Sequence, residues 1–260
     1  MSELTEHDYV GPHGLRVRGT VLVLPGRGET AHTYLRFGAR LAADAYRVRV
    51  LERLAIDEDD LDVSLDRLAE QITGAIADLE LSGPIVRPLV LIGVDSGAAA
   101  LGALVARTQA SSASWWPQAV VLAGLPGYGT HESGVWDDEL DARTHCPVHR
   151  AVLTDDAAAQ RGTLSDALPG GLLDAVYDST VDLPHLLLSG DSDRYADPEV
   201  LSRAAKSLPR ARFTQVRGAH HDVLNDLQHR SVAAEVVTFL EALRDESVLV
   251  PIVSVKISTW

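Results

Sequence analysis

The sequence predicts one α/β domain, a mainly parallel sheet covered by helices on both faces. Three observations carry this. Short apolar runs without charge, Thr20–Leu24, the run that begins at Pro88 and leads to Gly93, and Ala119–Ala123, read as strands buried on both sides. Stretches with helical spacing of apolar residues alternate with them, Leu65–Leu81 and His229–Arg244 among others. The length of 260 residues with 46% hydrophobic residues suits a single sizeable core.

In chain order, Tyr9–Arg18 carries the turn signal Gly11-Pro12-His13-Gly14 and reads as a peripheral hairpin. Strand Thr20–Leu24 leads into Pro25-Gly26-Arg27-Gly28 and then a helical pattern from Tyr34 to Ala43. Arg47–Leu51 reads as the next strand, and Ile56–Ser64 as an acidic loop. Helix Leu65–Leu81 ends at Gly83-Pro84. The strand that begins at Pro88 then turns sharply into an Ala- and Leu-rich helix from Gly97 to about Arg107. Ser111–Pro117 is a loop holding Trp115 and Trp116, which read as packing residues. Strands Ala119–Ala123, Leu183–Ser189 and Arg212–Val216 follow, with helix Pro198–Leu208 between the last two and His229–Arg244 at the end.

Two stretches break the alternation. Residues 126–181 are too long for one crossover and are expected to form a partly helical cap, dividing the core into 1–125 and 182–246. Residues 247–260 are rich in β-branched types and read as a strand-like tail. That tail adds to a sheet edge, reaches a second subunit to make a homodimer, or is an extension foreign to the fold.

Composition narrows the function classes. Lys and Arg number 23 against 37 Asp and Glu, a formal charge of −14, and no basic cluster suggests a nucleic-acid partner. No apolar run reaches the roughly 18 residues of a membrane helix, so no membrane partner is expected. Met1–Val10 is polar and acidic, unlike a signal peptide, and Cys146 is the lone cysteine. A soluble cytoplasmic protein acting on a small molecule is the expectation.

The candidate chemistry sits at strand ends. In Gly93-Val94-Asp95-Ser96-Gly97, two glycines flank Asp95 at the apex of a tight turn. In Gly190-Asp191-Ser192-Asp193, spacing from the glycine favours Asp193 over Asp191 as the carboxylate pointing into the site. In Gly218-Ala219-His220-His221-Asp222, the run to Asp226 favours His221 as the base, with His220 a pocket residue. Gly26 and Gly28 lack side chains, so the backbone there can approach a ligand. The N–H groups of Arg27 and Ser96 would form an oxyanion hole.

Together these pieces resemble the α/β-hydrolase superfamily, from Thr20 to Leu243, with nucleophile, acid and histidine in the chain order of that fold. Pro25-Gly26-Arg27-Gly28-Glu29 is similar to the histidine-glycine-x-glycine-glutamate stretch of monoacylglycerol-lipase and lysophospholipase relatives, with Pro25 in place of the histidine. An apex Asp is similar to haloalkane dehalogenases and epoxide hydrolases, which usually carry Trp after it where this chain has Ser96. The resemblance implies a triad of Asp95, His221 and Asp193. Asp95 would form an ester that water, activated by His221, then hydrolyses. Cap tyrosines Tyr128 and Tyr177 are candidate acids for a leaving oxygen, and Trp136 a pocket wall.

Two other readings stay open. If Ser96 is the nucleophile, the protein is an esterase, thioesterase or acyltransferase, but β-branched Val94 then has to flank the turn. The third is a non-catalytic binding member of the fold. No cofactor is expected. His131, His145, Cys146 and His149 match no zinc spacing, so no metal is expected. Gly26 and Gly28 lack the third glycine of a dinucleotide site.

Overall fold

The computed structural model describes residues 7–108, 110, 113–129, 134–244 and 252–253. Seven strands form one sheet: β1 (Asp8–Tyr9), β2 (Gly19–Leu24), β3 (Tyr46–Val50), β4 (Leu89–Val94), β5 (Ala119–Ala123), β6 (His185–Gly190) and β7 (Ala211–Val216). Their order across the sheet is β1-β3-β2-β4-β5-β6-β7. Every pairing is parallel except β1 with β3. The helices are α1 (Leu35–Ala43), α2 (Leu61–Glu80), α3 (Ser96–Arg107), α4 (Trp136–Arg143), α5 (Pro147–Asp155), α6 (Gly170–Tyr177), α7 (Pro198–Ser207) and α8 (His229–Arg244).

Strand alternation divides the core. Leu22, Leu24, Leu89 and Leu91 pack with α2, α3 and α6 on one face. Val21, Val23, Val90 and Ile92 pack with α1 and α8 on the other. Charge-free strands follow from this, since both sets of side chains leave water. Burying each such side chain stabilises by about 1.5–3 kcal/mol.

Three expectations change. The N-terminal hairpin does not form: β1 pairs antiparallel with β3, so the turn signal at residues 13–14 serves a connection. Helix α2 begins at Leu61 inside the expected acidic loop, because the Asp60 side chain accepts from Val63 N–H and caps it. Within the expected cap, α6 lies on α3, with Leu172, Leu173 and Val176 in the main core. A Cβ on Gly102 of α3 would collide with Val176, so glycine permits that close approach. The tail at 247–260 lies outside the described residues apart from Ile252 and Val253, which are exposed. Among the described residues no helix is long and apolar enough to cross a membrane.

Candidate active site

β4 delivers Asp95 to the carboxyl edge of the sheet. A Cβ on Gly93 would lie 2.5 Å from the Gly97 carbonyl oxygen, and one on Gly97 2.6 Å from the Leu24 and Pro25 carbonyls. The two glycines therefore let strand, turn and neighbouring loop close on one another. Asp95 itself sits at φ 49°, ψ −118°, a positive φ that a side chain rarely adopts. Such strain costs about 1–3 kcal/mol and persists only where the surroundings impose it. Gly26 is required beside it, because a Cβ there would lie 2.6 Å from Asp95 Cβ.

Three segments converge on the Asp95 carboxylate. The His221 ring lies between two acids. Its Nε2 is 3.0 Å from Asp95 Oδ1, and its Nδ1 is 3.0 and 3.1 Å from the two oxygens of Asp193. Asp193 also accepts from Tyr195 N–H at 2.9 Å, which orients it. All three members of the chain are buried. A carboxylate at each ring nitrogen favours the doubly protonated imidazolium form of the ring. Burial alone would lower the His221 pKa, but the charge of Asp193 and the bonds to both acids raise it to about 10.

Arg27 is the residue whose role sequence reasoning missed. Its backbone N–H, the expected oxyanion donor, donates to Asp95 Oδ2 at 2.8 Å. Its side chain turns onto the same carboxylate: Nε donates to Oδ2 at 2.9 Å and Nη2 to Oδ1 at 2.6 Å. Nη1 donates to the Asp166 carbonyl. Burial would raise the Asp95 pKa, but the Arg27 guanidinium and His221 hold it well below the usual carboxylate range. Asp95, Asp193, Arg27 and His221 thus form a buried quartet with formal charges that cancel.

The other expected residues are placed as follows. Ser96 opens α3, and with Arg27 it lines a cavity of about 260 Å³ that also meets Arg53, Gln160 and Asp166. Among the described residues no hydrogen bond joins it to His221. Gly28, at φ 73°, lies against residues 160–163, where a side chain would collide with the Gln160 carbonyl. The cap tyrosines are engaged elsewhere: Tyr177 Oη donates to the Pro126 carbonyl at 2.8 Å, and exposed Tyr128 donates to Asp174 at 2.8 Å. Trp136 donates to Thr154 and carries the Arg161 guanidinium 5.1 Å from its ring. His220 pairs with Asp226 at 2.9 Å and stacks on His145. Tyr195 was not expected; its ring centroid lies 5.2 Å from that of His221.

Behind the quartet lies a second buried polar layer. Arg143 of α4 donates to Glu139 at 2.9 Å and to the Arg27 carbonyl at 2.7 Å. It lies 3.4 Å from Asp222 Oδ1, while His149 Nε2 of α5 lies 2.8 Å from Asp222 Oδ2. Through this layer α4 and α5 are tied to the loops that carry Arg27 and His221. Burial, then the nearby Asp222 charge, pushes the Glu29 carboxyl up to about 7.

The sheet and its flanking helices superpose on solved structures. Monoacylglycerol lipase from Paleococcus ferrophilus aligns at TM-score 0.66 and 15% identity, covering 92% of this chain and 98% of that one. The chain has the α/β-hydrolase fold. Other α/β-hydrolase-fold structures align as well. A soluble variant of monoglyceride lipase from Saccharomyces cerevisiae gives TM-score 0.68 at 14% identity over 91% and 90% of the two chains. The enol-lactonase from Burkholderia xenovorans gives 0.63 at 16% identity over 90% and 96%. No protein-family model and no curated protein matches the sequence.

Proposed function

We propose that this α/β-hydrolase-fold chain is a hydrolytic enzyme for a small organic electrophile, acting through Asp95, His221 and Asp193. One observation carries the reading: a buried carboxylate at the elbow apex has one oxygen facing His221 Nε2 at 3.0 Å and the other facing Arg27 N–H at 2.8 Å. The two oxygens have different surroundings, as an attacking atom and a future carbonyl oxygen require. The hydrolases of the same fold described above support the reaction class.

In this reading substrate enters from the cavity beside Ser96 and displaces Arg27 Nη2 from Oδ1. An Oδ1 lone pair forms the bond to carbon as the bond to the leaving group breaks. The Nε2 proton of His221 passes to the alkoxide of an opened epoxide, or to solvent when halide leaves. Esterification removes the Asp95 charge, one of the two that hold His221 protonated, so the ring becomes a base when a base is needed. Water gives His221 a proton and adds to the ester carbon. Negative charge then gathers on Oδ2, where Arg27 N–H and Nε–H meet it. Collapse breaks the bond to Oδ1, and His221 returns its proton to the departing alcohol. The carboxylic acid left behind re-protonates His221 and restores the quartet. Arg27 supplies the oxyanion hole with its backbone and its side chain, in place of the expected Arg27 and Ser96 pair.

The test is His221→Gln incubated with an epoxide or haloalkane panel and examined by intact mass. The expected result is an adduct on the peptide holding Asp95. Labelling by a fluorophosphonate that disappears in Ser96→Ala would overturn the reading in favour of an esterase or acyltransferase. Tight ligand binding by a wild-type protein that forms no adduct and turns nothing over would instead make it a binding member of the fold.

A further inference from the structure

We propose that Glu29, His149 and Asp222 form a divalent-cation site, with zinc the ion that fits. The three come from different segments: the loop after β2, helix α5 and the loop after β7. One nitrogen or oxygen from each lies within 4.8 Å of the others, and all three residues are buried. The proposed mechanism uses none of them.

The pattern of hydrogen bonds points to a missing partner. Glu29 Oε2 is occupied, accepting from Gly26 N–H at 2.7 Å and from the Tyr34 hydroxyl. Glu29 Oε1 is buried and has no partner. A buried carboxylate oxygen left without a protein partner is costly, so a ligand is called for at that atom. The nearby guanidinium, Arg143, pairs with Glu139 and Asp222, and Asp222 also meets the His149 ring, so none of these pairs reaches Glu29 Oε1.

Donor chemistry selects the ion. One imidazole nitrogen and two carboxylate oxygens suit zinc, whereas calcium and magnesium want six or more oxygens. Zinc bonds of about 2.0–2.2 Å hold tetrahedral ligand atoms roughly 3.3 Å apart. His149 Nε2 and Asp222 Oδ2 stand at 2.8 Å, so a small expansion admits the ion between them. Arg143 lies on the other oxygen, Oδ1, at 3.4 Å and remains outside the first coordination sphere. Because the ligands become neighbours only when α5 docks, the ion enters during folding and fastens α5 to both loops. Spacing along the chain does not reveal this set, since Glu29 and Asp222 lie more than 70 residues from His149 on either side.

The experiment uses the full chain expressed with added zinc, passed through gel filtration and assayed for metal by mass spectrometry. About one zinc per chain is expected in the wild type, with Glu29→Gln and His149→Gln retaining less than about a tenth of it. Cobalt loading of the wild type should give the visible absorption of a tetrahedral ion, and added zinc should raise the wild-type Tm. Wild-type protein that holds no zinc and shows neither cobalt spectrum nor Tm shift overturns the proposal, whatever the variants do. Stoichiometric zinc that survives in folded Glu29→Gln overturns it too, since the ion then sits elsewhere.

Discussion

Three nitrogens of Arg27 reach the Asp95 carboxylate, and that contact sets several residue-scale expectations. Arg27→Ala leaves a buried carboxylate short of a counter-charge, at a cost of about 3–5 kcal/mol, readable in urea melts. Asp95→Asn keeps the shape but removes the charge that the proposed reaction uses for attack. Turnover should fall by roughly 10³-fold or more, while Ser96→Ala stays within about tenfold, as kcat/KM on a responsive substrate will report. The protonated ring carries a pH signature as well. His221 binds its proton more tightly folded, with a pKa of about 10 against 6.5. Its contribution to stability is therefore complete below pH 6.5 and lost as pH rises through 10. Asp95 works in the opposite sense, contributing above its unfolded pKa of 3.8 and losing that contribution as pH falls through its depressed folded value. Chemical denaturation across pH should show a decline beginning near 6.5 in the wild type. In Asp95→Asn the decline should still begin near 6.5 but be smaller and end at lower pH, because one of the charges raising the folded His221 pKa is gone.

At the scale of elements, the turn between β4 and α3 is the least tolerant place. Gly97→Ala would press a methyl against the Leu24 and Pro25 carbonyls, which are backbone and cannot step aside. Soluble yield should collapse, or Tm drop steeply, where Gly74→Ala in an open stretch of α2 leaves both unchanged or slightly raised. Asp60→Ala, which removes the cap of α2, should cost about 1 kcal/mol. The buried strands were readable because both faces are apolar, a pattern no loop imitates. The elbow was readable because a glycine four residues before another, astride a polar apex, leaves few backbone solutions. Arg27 was not readable in the same way. Spacing placed its N–H near Asp95, but nothing in a linear pattern says which way a long side chain folds. The partners of Tyr128, Tyr177 and Trp136 were not readable for a related reason: nothing linear says that their hydroxyls or rings meet Asp174, the Pro126 carbonyl and Arg161.

For the whole molecule, residues 126–181 serve two purposes that the sequence merged into one. The α4–α5 region reaches down through Arg143 and His149 to the loops that carry Arg27 and Asp222, while α6 completes the core on α3. Their junction was hidden because amphipathic helices look alike whether they cover a site or a sheet. Gly102→Val should displace α6 and lower stability by several kcal/mol, visible as lost hydrogen-exchange protection over 170–177. The formal charge of −14 adds a general repulsion. Raising ionic strength from about 0.01 to 0.15 M should therefore increase Tm modestly, as a screening series will show.

The clasp between Arg27 and Asp95 also bears on how such a site could change its chemistry. Exchanging the apex acid for serine would strand a guanidinium beside an imidazole with only Asp193 to balance both, so the single exchange passes through a crippled protein. A route to or from a serine enzyme must alter positions 27 and 95 in concert. Under the proposed reaction, an arginine in the loop after β2 marks an apex carboxylate and can be looked for before any activity is measured.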